Sequence, residues 1–200
     1  YCPRVGTTGT RDRPRSWEGW VSQAQVAIEI SAARSPAAFV CGVSLGGAVT
    51  LMLAERSQVK GMILLAPALY PKMGIKARFL QVARMVTPTL FYHFAGWNGE
   101  VLHAMDYARK NAGPIGIPLL SIQTADDTHL SSKGLKYLRR HARHADTEIQ
   151  LLPVGSHVVC RGEAKDQVFD LVRKFVERNA VGARLAVVPE NAPAPTSDPS

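Results

Sequence analysis

Two hundred residues allow one domain with a sizeable core, and the apolar share of 46% is ordinary for a soluble globular protein. No apolar run is long enough to cross a bilayer as a helix. The net charge of +8 comes largely from Arg4, Arg11, Arg13 and Arg15 and from the stretch Lys133 to Arg143; no nucleic-acid motif or interleaved aromatic pattern accompanies it, so it reads as a solvated basic surface, with attraction to an anionic membrane or an acidic substrate left open.

Residues 1–15 are polar and rich in Gly, Thr and Arg, and read as loop. Ser16 is a fitting N-cap for a helix running to about Ala33, because Trp17, Trp20, Val21, Ala24 and Ile28 recur at helical spacing. Ser35-Pro36 ends it. Ala37 to Val43 is an apolar run bounded by turn residues, the pattern of a strand buried on both faces, in which Cys41 reads as a small core residue. Gly42-Val43-Ser44-Leu45-Gly46 closes the run as Gly-x-Ser-x-Gly, with Gly47 beside it, and Ala48 to Arg56 reads as a helix. At such a junction the Ser sits on a sharp turn with its hydroxyl clear of the sheet. Gly42 and Gly46 are expected where a side chain would clash with the returning backbone. The alternative is a Gly-rich turn with an ordinary Ser.

Lys60 to Pro67 predicts a second buried strand, and strand, helix, strand makes a βαβ unit with parallel pairing. Residues 70–113 are too long an insert for a simple crossover. Ile75, Phe79, Leu80, Val82, Ala83 and Met85 alternate with Lys72, Lys76, Arg78 and Arg84 in helical fashion, Pro88 interrupts, and Phe91 to Phe94 is aromatic-rich. The segment reads as a helical cap over the strand ends, whose apolar residues pack on the core or line an acyl pocket; its basic amphipathic face suits contact with a membrane or micelle.

Pro118 to Ala125 predicts a third strand ending at Asp126-Asp127, followed by a helix from about Ser131 to His144 with Leu135 and Leu138 inward. Thr147 to Val154 predicts a fourth strand, closed by Gly155-Ser156-His157, and a last helix spans about Glu163 to Asn179 with Val168, Leu171, Val172, Phe175 and Val176 on its inner face. Residues 1–187 are taken as the domain and 188–200 as a disordered tail. Cys2, Cys41 and Cys160 are scattered, with no CxxC, as expected for thiols in a reducing, cytoplasmic setting. No secretory leader pattern opens the chain, which starts at Tyr1 rather than Met.

Catalysts in open α/β sheets collect at the carboxyl ends of the strands. Ser44, Asp127 and His157 fall at three such ends, in the chain order Ser, Asp, His. The Ser hydroxyl is too weak a nucleophile alone; a His would take its proton and return it to the leaving group; a carboxylate would fix the His tautomer and stabilise the imidazolium. Asp126 is the alternative acid. His129, His141 and His144, with Asp146, hint at a metal, but surface histidines on a basic helix are the plainer reading, and no metal is expected.

At these residues the chain resembles the monoacylglycerol lipase and carboxylesterase branch of the α/β-hydrolase superfamily, the serine aminopeptidase S33-like group. The resemblance covers roughly residues 36 to 178 and is weakest in the cap. Gly42-Val43-Ser44-Leu45-Gly46-Gly47 resembles the family's nucleophile elbow; Gln123-Thr124-Ala125-Asp126-Asp127, followed by Ser132-Lys133-Gly134, its acid segment; Gly155-Ser156-His157-Val158 its His segment. The resemblance implies an α/β-hydrolase fold, a serine hydrolase acting on carboxylic esters, often of fatty acids, a small-molecule or lipid substrate, and no metal or organic cofactor. It places the acid on Asp127 and one oxyanion N–H on Leu45. Tyr1 to Arg4 resembles only the tail of an early strand, and Thr7-Thr8-Gly9 stands where relatives often carry Gly-His-Gly, so the front strands are expected to be missing. The elbow strand then keeps an unpaired edge, which invites self-association. An acyltransferase, thioesterase or peptidase on the same scaffold, or a non-catalytic binding protein, are the competing readings.

Overall fold

The computed structural model describes residues 16–35, 37–53, 59–72 and 88–180, the side chains of 88–98 excepted. Four strands, β1 (Phe39–Val43), β2 (Gly61–Leu65), β3 (Leu119–Thr124) and β4 (Thr147–Leu152), form one sheet in the order β1-β2-β3-β4, with every pair parallel. Val43 lies opposite Leu65, Leu65 opposite Ile122, and Thr124 opposite Leu152. The carboxyl ends therefore line up along one rim.

Five helices complete the described chain: α1 (Trp17–Arg34), α2 (Leu45–Met52), α3 (Pro88–Asn111), α4 (Lys133–His141) and α5 (Lys165–Ala180). Ser16 caps α1, its hydroxyl accepting from the Gly19 N–H at 3.3 Å. β2 and β3 are buried throughout because both faces are covered. Met62, Leu64 and Leu119 pack with Ala48, Leu51, Ala108 and Leu138 from α2, α3 and α4. Ile63, Leu65, Leu120 and Ile122, one residue out of phase, pack on the other face with Val168 and Phe175 of α5. α1 lies further out, its Trp17, Trp20 and Ile28 meeting Val49 and Leu53 at α2 and Ala104 of α3.

β1 departs from the expected double burial. Among the described residues it is the end strand, and Cys41 and Val43 are exposed. Register puts Phe39, Cys41 and Val43 on the face that α5 covers. Phe39 meets Phe175 of α5 edge-on at 6.2 Å. Cys41 is thus a surface residue rather than a core one.

α2 starts at Leu45, not Ala48, because the chain turns from Ser44 directly into the helix. Pro88 is the first described residue of α3; at a first helical position the missing N–H has no intrahelical acceptor to lose. Of the expected cap, 73–87 lies outside the described residues, as do 1–15 and the 181–200 tail. The later half of α3 packs through Ala104, Met105 and Ala108 onto α1, the post-β2 segment and the sheet. No described helix is long and apolar enough to cross a membrane.

Candidate active site

Ser44 occupies the one-residue turn between β1 and α2, at φ 52° and ψ −117°. A side-chain-bearing residue at positive φ costs roughly 1–3 kcal/mol and persists only where its surroundings over-determine it. Here they do. Ser44 N–H donates to Leu65 O at 2.9 Å, and Ser44 O accepts from Gly47 N–H and Ala68 N–H, each at 2.9 Å. The glycines divide differently from expectation. A Cβ on Gly42 would lie 2.5 Å from Gly46 O and 2.6 Å from Thr50 Oγ1, and one on Gly47 would lie 2.9 Å from Pro67, whereas one on Gly46 meets nothing within 4 Å among the described residues. Among those residues Gly42 and Gly47 are the sterically required pair, and Gly46 is not.

The acid lies just past β3. Asp127 is fully buried, while its neighbour Asp126 is exposed. Asp127 Oδ1 accepts from the backbone N–H of His129 at 2.8 Å and of Leu130 at 2.9 Å. Oδ2 faces His157 Nδ1 at 3.0 Å and accepts from Gln123 Nε2 at 3.4 Å. Burial opposes its ionisation, but the His157 hydrogen bond, the two amides and the His157 charge outweigh it and hold the carboxyl below the usual range.

His157 follows β4 on a turn that needs glycine: Gly155 sits at φ 133°, where a Cβ would also lie 2.7 Å from Thr124 Cγ2. Thr124 Oγ1 donates to Ser156 O at 3.0 Å, pinning the loop to β3. The imidazole is partly exposed, 18%, and its Nε2 lies 2.8 Å from Ser44 Oγ. An ionised carboxylate can only accept, so Nδ1 carries the proton toward Asp127 and Nε2 is left to accept from the Ser44 hydroxyl. The three residues are thus one hydrogen-bonded chain from separate strand ends, with the acid at Asp127 rather than Asp126. Leu45 is the first residue of α2, so its N–H belongs to the helix start that lacks intrahelical acceptors. Gly6 to Thr10, which carries Thr7-Thr8-Gly9 where relatives often show Gly-His-Gly, lies outside the described residues.

Several neighbours were not singled out by residue type. Gln123, buried in β3, donates to Leu130 O at 3.2 Å as well as to Asp127, bracing the acid turn. Lys72 Nζ donates to Asp127 O, and the segment 70–72 pairs with the acid loop through Lys72 N–H to His129 O (2.7 Å) and Ser131 N–H to Tyr70 O (2.8 Å). His129 is not on the basic helix: it sits in the acid loop, its ring 4.8 Å from that of His157. Ligand atoms of Asp127, His129 and His157 lie within 4.8 Å of one another. His141 instead stacks on Tyr137, and His144 Nδ1 accepts from Asp146 N–H. The Asp146 carboxylate is engaged by Arg178 and Asn179. These do not join His129.

Comparison with known proteins gives the frame. Residues 5–95 match the family model for serine aminopeptidase, S33. No curated protein matches the chain. Among solved structures, a monoacylglycerol lipase from Paleococcus ferrophilus superposes with a TM-score of 0.64 at 17% identity, over 86% of this chain and 78% of the lipase. A soluble variant of monoglyceride lipase from Saccharomyces cerevisiae, in complex with a substrate analog, gives 0.66 at 14% identity, over 86% and 74%. A structure from a study of two metagenome-derived lipolytic enzymes gives 0.65 at 14% identity, over 82% and 74%. Identities this low establish the fold and leave the reaction to the site.

Proposed function

We propose that this chain, which has the α/β-hydrolase fold and resembles its monoacylglycerol lipase and S33 branch, is a serine hydrolase that cleaves carboxylic esters, monoacylglycerol or other fatty-acyl esters foremost. The observation that carries the reading is the relay of 2.8 Å from Ser44 Oγ to His157 Nε2 and 3.0 Å from His157 Nδ1 to Asp127, mounted on a strained elbow. The lipase and lipolytic neighbours point the same way.

In the proposed cycle, Ser44 Oγ attacks the ester carbonyl carbon as its proton passes to His157 Nε2. Asp127, ionised and immobile, stabilises the imidazolium through Nδ1–H. The oxyanion meets Leu45 N–H and the positive start of α2. Collapse breaks the carbon–oxygen bond to the alcohol, which leaves with the proton from His157, and the acyl group stays on Ser44. Water then attacks the acyl carbon, gives its proton to His157, and releases the acid as Ser44 Oγ recovers that proton. The chemistry calls for no metal or organic cofactor.

Ser44→Ala should abolish ester turnover, and retained turnover would mean another nucleophile. Product analysis in the presence of an alcohol separates hydrolysis from acyl transfer, which the same triad can also perform. The segment 70–113 is proposed to cap the site and to meet membrane or micelle surfaces through its basic face; equal activity on dispersed and micellar substrate, with no liposome binding, would contradict that role.

A further inference from the structure

The neighbourhood of His129 suits a ligand other than substrate. The pairing of Asp127 with His157 Nδ1 is also the arrangement that prepares a histidine for a metal. A ligating imidazole usually donates its other N–H to a carboxylate, which fixes the tautomer and makes the ligating nitrogen more basic. His157 Nε2 is so prepared, and it points outward to the partly exposed Ser44 hydroxyl. A second imidazole stands beside it: the exposed ring of His129, 4.8 Å away and tilted by 36°. His129 Nδ1 is shared with Thr128 Oγ1 at 3.1 Å, which leaves Nε2 as its ligating atom.

We infer that His157 and His129, backed by Asp127, form a site for zinc-class divalent cations that switches off the Ser44 centre. Zinc takes imidazole nitrogen at about 2.0–2.1 Å in tetrahedral geometry, so its donors stand about 3.4 Å apart. Here one ligand atom each from Asp127, His129 and His157 lies within 4.8 Å of the other two. The closing movement falls on His129, because Asp127 is locked by two backbone amides and its ring is exposed. Metal on His157 Nε2 occupies the lone pair that would accept the Ser44 proton, so the nucleophile loses its base. The cation acts as an inhibitor, not a cofactor. Imidazole ligands select zinc over magnesium or calcium.

The inhibitory consequence rests on the serine-hydrolase reading; the site itself does not. Zinc affinity is measured by competition with a chromogenic chelator, on the whole chain and on His129→Ala, His144→Ala and His157→Ala. Ester turnover is titrated with zinc in parallel. Removing only an outer partner of a ligand costs about 10–100-fold in affinity, so losing a ligand should cost at least that. His129→Ala and His157→Ala are expected to weaken binding by that factor, and His144→Ala to leave it unchanged. His129→Ala should need correspondingly more zinc for inhibition, read against its own metal-free turnover, with magnesium inert throughout. Zinc binding that is equal in His129→Ala and the parent, or no binding by the parent, would overturn the inference. Binding that depends on His129 in a chain with no turnover at all would uphold the site and defeat the hydrolase reading instead.

Discussion

Asp126 and Asp127 are adjacent and chemically identical, yet only one is buried against His157. The difference is in the turn: two successive amides converge on Asp127 Oδ1, and Gln123 reaches Oδ2 from inside the sheet. Ser44 and His157 were legible in the sequence because a hydroxyl and an imidazole at predicted strand ends have few other uses. Gln123 and Thr124 were not, since a polar residue inside an apolar strand gives no sign of which loop its side chain will hold. Two consequences follow at this scale. Since Asp127 ionises below its usual range in the folded chain, it contributes stability that is complete above about pH 4, the range of a free Asp carboxyl, and is lost as pH falls through the folded value. Unfolding of Asp127→Asn beside the parent should show a gap of about 2 kcal/mol at neutral pH that narrows as the folded carboxyl is protonated in acid; a gap that ignores pH would contradict the assignment. Gln123→Leu removes the brace from Asp127 and should lower kcat about tenfold, equivalent to 1.4 kcal/mol, with KM little changed; unaltered kcat would show that the amides alone hold the acid.

Among the elements, the β1-turn-α2 unit carries the sharpest test. Its three glycines look alike in the motif, and sequence reasoning assigned the steric need to Gly42 and Gly46. The fold assigns it to Gly42 and Gly47, because the close approach comes from Pro67 after β2, a residue remote in the chain. Gly42→Ala would press a methyl group into Gly46 O and Thr50 Oγ1 and should cost about 3 kcal/mol or more, the range of severe core strain. Gly46→Ala, inside α2 with open space around it, should be neutral or stabilising by up to about 1 kcal/mol from helix propensity. Thermal unfolding of the two variants decides this; equal losses would mean the elbow is packed differently. The strands were legible as elements because β2 and β3 are apolar on both faces. For Cys41, which is exposed, the local apolar pattern pointed the wrong way.

For the whole molecule, the described sheet ends at β1, whose Cys41 and Val43 face solvent beside the very turn that holds Ser44. The central claim is that the three strand ends bring Ser44, His157 and Asp127 into a working relay. The most direct measurement is labelling of the chain with a fluorophosphonate probe, beside Ser44→Ala and His157→Ala. The account predicts that the parent labels and that both variants do not. A folded, soluble parent that resists the probe, or a Ser44→Ala variant that labels as well as the parent, would contradict it.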